Sequence, residues 1–170
     1  MSRQVPIREF GSGSARARRA SPRSEVDPVV VTRSRDLFER AEVVFANADG
    51  VTDDPERFRQ YYLAALRAAG AALAVHEPPV RGGARRVSAN AWARISSTVP
   101  ELTHFAQRFS DLSRTRMEIE SGISRTIDPA TVDGLRADVD TFLDAVERLL
   151  IAYEQGSLAH QALGAIGHSA

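Results

Sequence analysis

Apolar residues recur at three- and four-residue steps in several stretches between residues 32 and 153, which is the spacing of amphipathic helices. The last stretch, from Asp128 to Tyr153, is the most regular, with Asp and Glu on the opposite face. Its apolar positions are Val132, Leu135, Val139, Phe142, Val146, Leu149 and Tyr153. Because short connections favour antiparallel neighbours, the pattern predicts an all-α fold, an antiparallel up-and-down bundle of four to five helices.

Helix-boundary residues divide this pattern. The first helix is predicted from about Thr32 to Ala48 and the second from Asp54 to about His76. Asp54 and Asp128 each precede a proline, which predicts that each carboxylate caps a helix that begins there. The glycines predicted to end helices are Gly50, Gly122 and Gly156.

The third region is interrupted by Pro78 to Gly83, after which Ser88 is the predicted cap of a segment that carries Trp92. Pro100 either kinks this helix or starts a new one that continues to about Ser121. Trp92 is predicted to be a buried anchor.

The alanines of the second helix leave room for a neighbouring helix to approach closely. Tyr61 and Tyr62 are adjacent in this helix, so we expect only one to face the core squarely. We expect the other to stack on a nucleobase or to lie in a subunit interface.

Composition bounds the domains and the location. We predict a disordered basic tail over residues 1–28, one helical domain over 29–155 and a flexible end over 156–170. No apolar run approaches the length of about 20 residues that spans a bilayer, and Met1 to Arg23 lacks the apolar centre of a signal peptide. A cytoplasmic protein without a membrane partner is therefore expected.

Missing residue types exclude several chemistries. The chain has no Cys, so thiolate nucleophiles, disulfides and Cys-ligated metals are excluded. All 22 cationic residues are Arg, which excludes Schiff-base lysines and, with abundant Ala and Val, suggests a GC-rich, actinobacterial source.

Basic residues are concentrated in one part of the chain. Residues 78–94 hold four Arg and no acid, whereas residues 128–150 hold six acids and two Arg. The candidate nucleic-acid-binding residues are Arg81, Arg85 and Arg86 in the predicted loop and Arg114 and Arg116 at the end of the third helix. The alternative is ion pairing inside the fold, with the acidic last helix for the loop and with Glu118 and Glu120 for the second group.

Other candidate sites are weak in the sequence. His104 beside Phe105, with Glu101 one turn earlier, is expected to be structural. Acids two positions apart, such as Asp138 and Asp140, point to different faces of a helix and cannot clamp one metal. The sequence therefore indicates no catalytic residue, no cofactor and no metal.

The order of these features resembles the HEPN superfamily, specifically an actinobacterial HEPN-like family of poorly known function. The residues that carry the resemblance are the Asp54-Pro55-Glu56-Arg57-Phe58 turn, Tyr61 to Ala69, Ala91-Trp92, Val99-Pro100-Glu101-Leu102 and the acidic last helix. The resemblance implies a helical bundle that often forms homodimers. Many HEPN proteins are metal-independent ribonucleases of toxin–antitoxin and defence systems, and others are non-catalytic partners.

Active HEPN ribonucleases carry an Arg and a His separated by four to six residues near the start of the last long helix. None of the chain's four His follows an Arg at that spacing, and the last predicted helix has no His. Three functions remain open. They are a non-catalytic interaction module associated with nucleic acid, a degenerate HEPN ribonuclease and a purely structural protein–protein adaptor.

Overall fold

The computed structural model describes residues 26–77 and 90–166, and their side chains as far as residue 156. These residues form α1 (Pro28–Ala48), α2 (Asp54–His76), α3 (Ala91–Thr98), a 3₁₀ helix (Pro100–Leu102), α4 (Thr103–Glu120) and α5 (Pro129–Ile166). No strand occurs in the described ranges, and the predicted all-α bundle is confirmed.

The long helices alternate in direction. Phe45 contacts Tyr61, and the guanidinium of Arg67 donates to the carbonyl of Arg40, so numbering rises along α2 as it falls along α1. α4 and α5 are likewise antiparallel, because Phe105 meets Phe142 whereas Arg108 meets Asp138. These contacts give the up-and-down arrangement that the sequence predicts.

α2 is the central helix, because it contacts α1, α3, α4 and α5. It runs parallel to α5, since Arg57 pairs with Asp133 near the start of both helices and Val75 lies near Tyr153 towards the other end. Small side chains permit this close packing. The fully buried alanines of α2 are Ala64, Ala65, Ala68, Ala69, Ala71 and Ala72.

Large aromatic rings fill the space between α4 and α5. Trp92 on α3 lies 4.9 Å from Phe109 and 6.2 Å from Phe142, measured between ring centroids. Trp92 is 2% exposed, so its predicted role as a buried anchor is confirmed. The short helix α3 thereby closes one side of the core.

Helix starts differ from the prediction in three places. The carboxylate of Asp53, rather than Asp54, caps α2 by accepting from the backbone N–H of Glu56. Asn90, rather than Ser88, caps α3. α1 begins four residues before Thr32, at Pro28. In each case the observed cap is another short polar side chain in the same sequence neighbourhood, which periodicity alone does not distinguish. The Asp128 cap is confirmed, because its carboxylate accepts from the backbone N–H of Ala130.

Helix ends follow the glycines in two cases and not in the third. α1 stops before Gly50, and Gly122 takes a φ of 71° just after α4, the left-handed conformation that ends helices. The predicted stop at Gly156 is wrong, because α5 continues to Ile166. A single helical glycine costs only about 1 kcal/mol relative to alanine, which neighbouring helix-forming residues can offset. Pro100 breaks the third helix, since α3 ends at Thr98 and α4 begins at Thr103.

The predicted basic tail falls largely outside the described residues, and the flexibility of residues 156–170 stays a prediction. Among the described helices, none combines the length and the apolar character needed to cross a bilayer.

Candidate functional site

Arg114 and Arg116, two of the candidate phosphate-binding residues, lie on α4 and are engaged within their own helix. Arg114 pairs with Glu118 at 2.9 Å and Arg116 pairs with Glu120 at 2.8 Å. The guanidinium of Arg116 also lies 5.2 Å from the ring centre of Tyr62. The ion-paired alternative is therefore observed for this group, and phosphate binding by it stays a prediction.

Arg81, Arg85 and Arg86 lie outside the described residues, but the helices on either side of their segment are defined. Glu77, which follows the end of α2, accepts hydrogen bonds from Nε and Nη2 of Arg94 on α3, one on each carboxylate oxygen. The hydrogen bond that Arg94 donates to Glu77 raises the pKa of Arg94. This ion pair joins the end of α2 to α3, the two helices that flank residues 78–89 in the sequence.

The acidic last helix finds partners elsewhere in the bundle. Asp133 accepts from Arg57 at 3.1 Å, and Asp138 accepts from Arg108 at 2.7 Å. Two of the carboxylates that could have paired with the basic segment are thus occupied by arginines of α2 and α4.

A polar cluster joins the end of α1, the start of α2 and the start of α5. The Nε and Nη2 groups of Arg136 donate to the two carboxylate oxygens of Asp49, at 2.8 Å and 3.0 Å, and the hydroxyl of Tyr61 donates to Asp49 at 2.6 Å. These hydrogen bonds, chiefly the one from Arg136, lower the pKa of Asp49 to about 2. Burial, followed by the hydrogen bond to Asp49, raises the pKa of Tyr61 to about 12. Tyr61 is consequently a poor general base near neutral pH.

The residues five to seven positions after Arg136 lie at the spacing of the HEPN histidine. At the spacing where active HEPN proteins place their histidine, this chain has Thr141, Phe142 and Leu143. Phe142 and Leu143 are buried in the core, and the Thr141 hydroxyl donates to the carbonyl of Ala137. None of the three side chains can exchange a proton near neutral pH.

Tyr61 and Tyr62 are both buried, each 1% exposed, so the expectation that only one would face the core is wrong. α2 has neighbours on several sides, and its buried arc is wider than one stripe. The indole N–H of Trp92 donates to the hydroxyl of Tyr62 at 2.7 Å, and that hydroxyl lies 3.0 Å from the carbonyl of Phe109. This buried network joins α2, α3 and α4. Because both tyrosines are buried, neither ring is exposed for stacking on a nucleobase.

A cavity of about 670 Å³ lies between the end of α2, the start of α4 and the middle of α5. The polar side chains that line it are those of His76, Glu101, His104, Arg148 and Tyr153, together with the Thr141 hydroxyl. Sequence reasoning treated His104 alone and missed its convergence with His76, because the two belong to helices that meet only in the fold. Leu102 and Leu149 line the same cavity, but no motif in the sequence links them to the two histidines.

The acidic and histidine side chains of residues 26–77 and 90–156 do not cluster for metal binding. No group of three or more His, Asp or Glu side chains in that part of the chain is arranged to hold a metal ion. Glu118 and Glu120 pair with different arginines, as expected for residues that point to different faces of α4.

Searches of the curated proteins and of the solved structures each gave no significant match. The sequence model of the SAV_6107-like HEPN family matches residues 48–147 of the 170-residue chain. The matched region runs from the end of α1 into α5 and contains both the Asp49–Arg136 pair and the Trp92–Tyr62 network. It confirms the resemblance to HEPN proteins that the sequence suggests. The chain therefore belongs to the SAV_6107-like HEPN family.

Proposed function

We propose that this chain is a non-catalytic HEPN module that associates with nucleic acid through the basic segment 78–89. The non-catalytic part of this proposal rests on the contacts of Arg136. Its guanidinium is held by both carboxylate oxygens of Asp49, and no residue at the histidine spacing can act as an acid or base. The arginine near the start of the last helix thus serves to hold α1 against α5.

The basic segment supplies the proposed contact with phosphate. Arg94 is engaged by Glu77 at the base of the segment, so we assign phosphate contact to Arg81, Arg85 and Arg86. Guanidinium forks match phosphate oxygens in two-point hydrogen bonds. The pairing of Asp133 and Asp138 with other arginines removes two partners from the competing interpretation, in which the segment neutralises the last helix.

Fluorescence anisotropy of a short labelled single-stranded RNA, measured across a salt series with the full chain, tests this proposal. Changing Arg81, Arg85 and Arg86 to Ala should lower affinity at least about tenfold and reduce the salt slope by about 2, given a slope of roughly 0.7 per phosphate contact on single strands. The charge-matched control changes Arg33, Arg40 and Arg67, which lie on α1 and α2 outside both candidate groups, to Ala. Equal losses in the two triple variants would contradict the assignment.

Two further measurements separate the alternatives. A chain that begins at residue 26 tests whether the predicted basic tail, rather than the segment, carries the binding. Incubation of the same RNA with the protein, followed by a denaturing gel, tests the degenerate-ribonuclease alternative, since cleavage abolished by Arg136→Ala would overturn the non-catalytic proposal. Absence of RNA binding by every variant would favour the adaptor.

The homodimer implied by the family is part of this proposal. The apolar stripe of the last helix does not support it, because Val132, Leu135 and Val139 are fully buried within the chain's own core. A dimer must use another surface. Light scattering at tens of micromolar is the test, and a monomeric mass would count against it.

A further inference from the structure

The cavity between α2, α4 and α5 has the size and the apolar floor of a small-molecule site. Its volume of about 670 Å³ lies within the roughly 300–1,000 Å³ typical of ligand pockets. Leu102, Phe105 and Leu149 form apolar wall. Leu102 and Phe105 also belong to the core, so packing within the protein holds this floor in place.

Polar groups converge above this floor from three helices. Arg148 brings a permanent positive charge, and among residues 26–77 and 90–156 no carboxylate forms an ion pair with it. The Nδ1 of His76 lies 3.0 Å from the carbonyl of Ala72. A carbonyl only accepts, so Nδ1 carries the proton of this hydrogen bond and Nε2 remains available for a ligand. His104 also lines the cavity, and its ring lies 3.9 Å from the Phe105 ring, measured between centroids, at a tilt of 38°.

The charge balance of the wall limits the class of ligand. Arg148 offers a fork for one carboxylate, whereas Glu101 on the same wall repels a ligand that carries several negative charges. A nucleic-acid backbone is therefore disfavoured here. Phe105 and Leu149 both line the cavity, so an apolar body placed against them buries apolar surface, which favours binding.

We propose that this cavity binds a small aromatic monocarboxylate, with its ring on Phe105 and Leu149 and its carboxylate on Arg148. The imidazoles of His76 and His104 contact the polar edge of the ligand. This site is separate from the proposed nucleic-acid contact and does not rest on it, because none of Arg81, Arg85 and Arg86 takes part. A protein that fails to bind RNA would therefore not contradict the proposed ligand site.

The test is a titration of the full chain with 1-naphthoate, followed by ¹H–¹³C correlation spectra of the histidine rings. The chain has four His, so the His76 and His104 signals can be assigned with His76→Gln and His104→Gln. Saturable shifts of both signals are expected. The uncharged amide 1-naphthamide should bind at least about tenfold more weakly, since loss of a charge-assisted hydrogen bond is worth about that factor or more.

Two variants make the site assignment specific. Arg148→Gln should weaken 1-naphthoate binding about tenfold while leaving 1-naphthamide binding unchanged. Ala152→Phe, which places a ring in the cavity mouth, should weaken both compounds. Arg114→Gln, which removes one positive charge on α4 away from the cavity, is the matched control and should change neither. Equal affinity for the two compounds, an unchanged affinity in Arg148→Gln, or no saturable shift would each overturn the proposal.

Discussion

Asp49 and Arg136 form a two-point ion pair that joins residues 87 positions apart, with N–O distances of 2.8 Å and 3.0 Å. Asp49 follows the last residue of α1, where the negative end of the helix dipole disfavours a carboxylate. The guanidinium of Arg136 offsets that disadvantage and lies 5.5 Å from the centre of the Phe45 ring. The pair therefore stabilises the contact between the end of α1 and the start of α5.

Replacing Asp49 with Asn should lower the free energy of unfolding at pH 7 by about 0.5–1 kcal/mol, the range for a well-formed but partly exposed ion pair. Urea denaturation measures the loss. Asp140→Asn, on the exposed face of the same α5 helix, is the control and should have a negligible effect. A loss as large in the control would assign the effect to the general charge of α5 instead.

The same pair predicts a specific pH dependence. A carboxylate whose pKa falls on folding stabilises the folded state above its unfolded pKa, here 3.8, and loses that contribution as pH falls through the folded value of about 2. The stability difference between the wild type and Asp49→Asn should thus be constant above pH 5 and shrink towards pH 2. A difference that grows on acidification would contradict the assigned direction.

Removing the hydroxyl of Tyr62 should cost more than removing that of Tyr61. Tyr62→Phe leaves the buried indole N–H of Trp92 without its acceptor, a loss of about 1–3 kcal/mol. Tyr61→Phe removes a donor to Asp49, which keeps both hydrogen bonds from Arg136, so we expect a loss under about 1 kcal/mol. The two variants delete the same atom from equally buried residues, and thermal or urea unfolding compares them directly. Equal losses would show that the Trp92–Tyr62 hydrogen bond contributes nothing specific.

Gly122 and Gly156 should respond oppositely to alanine. A Cβ added at either position meets no atom within 4 Å, so backbone conformation alone decides the sign. Gly156 is helical, and Gly156→Ala should stabilise the protein by about 0.5–1 kcal/mol. Gly122 has a φ of 71°, and Gly122→Ala should destabilise it by about 1 kcal/mol. Destabilisation by Gly156→Ala would contradict the continuous α5 helix.

Enlarging a buried alanine of α2 should disturb the packing of the bundle. Ala69 is 0% exposed, and Ala69→Leu should cost about 1–3 kcal/mol because the helices packed against α2 must move away from it. Ala137→Leu makes the same change at an exposed position of α5 and should be nearly neutral. Differential scanning calorimetry on both variants is the measurement. A neutral Ala69→Leu would mean that the close approach of the helices is not limited by side-chain size.

Local sequence was sufficient for α2, whose predicted bounds Asp54–His76 are the observed ones. Its first turn has a proline and acidic residues, and its last residue is followed by Glu77 and Pro78, so both ends are marked locally. The caps of α2 and α3 were each misassigned by one or two positions, because neighbouring Asp, Asn and Ser residues have similar capping propensity. Only the backbone conformation selects among them.

The sequence by itself determined the helices, their alternating directions and the family, because apolar periodicity, capping residues and breaks are local properties. Tertiary structure alone decided which distant side chains meet. It buried both Tyr61 and Tyr62, since α2 has neighbours on several sides, and it placed Arg136 on Asp49. It also brought His76 and His104 to one cavity. Such contacts depend on the rotation and offset of packed helices, which periodicity along a single chain does not encode.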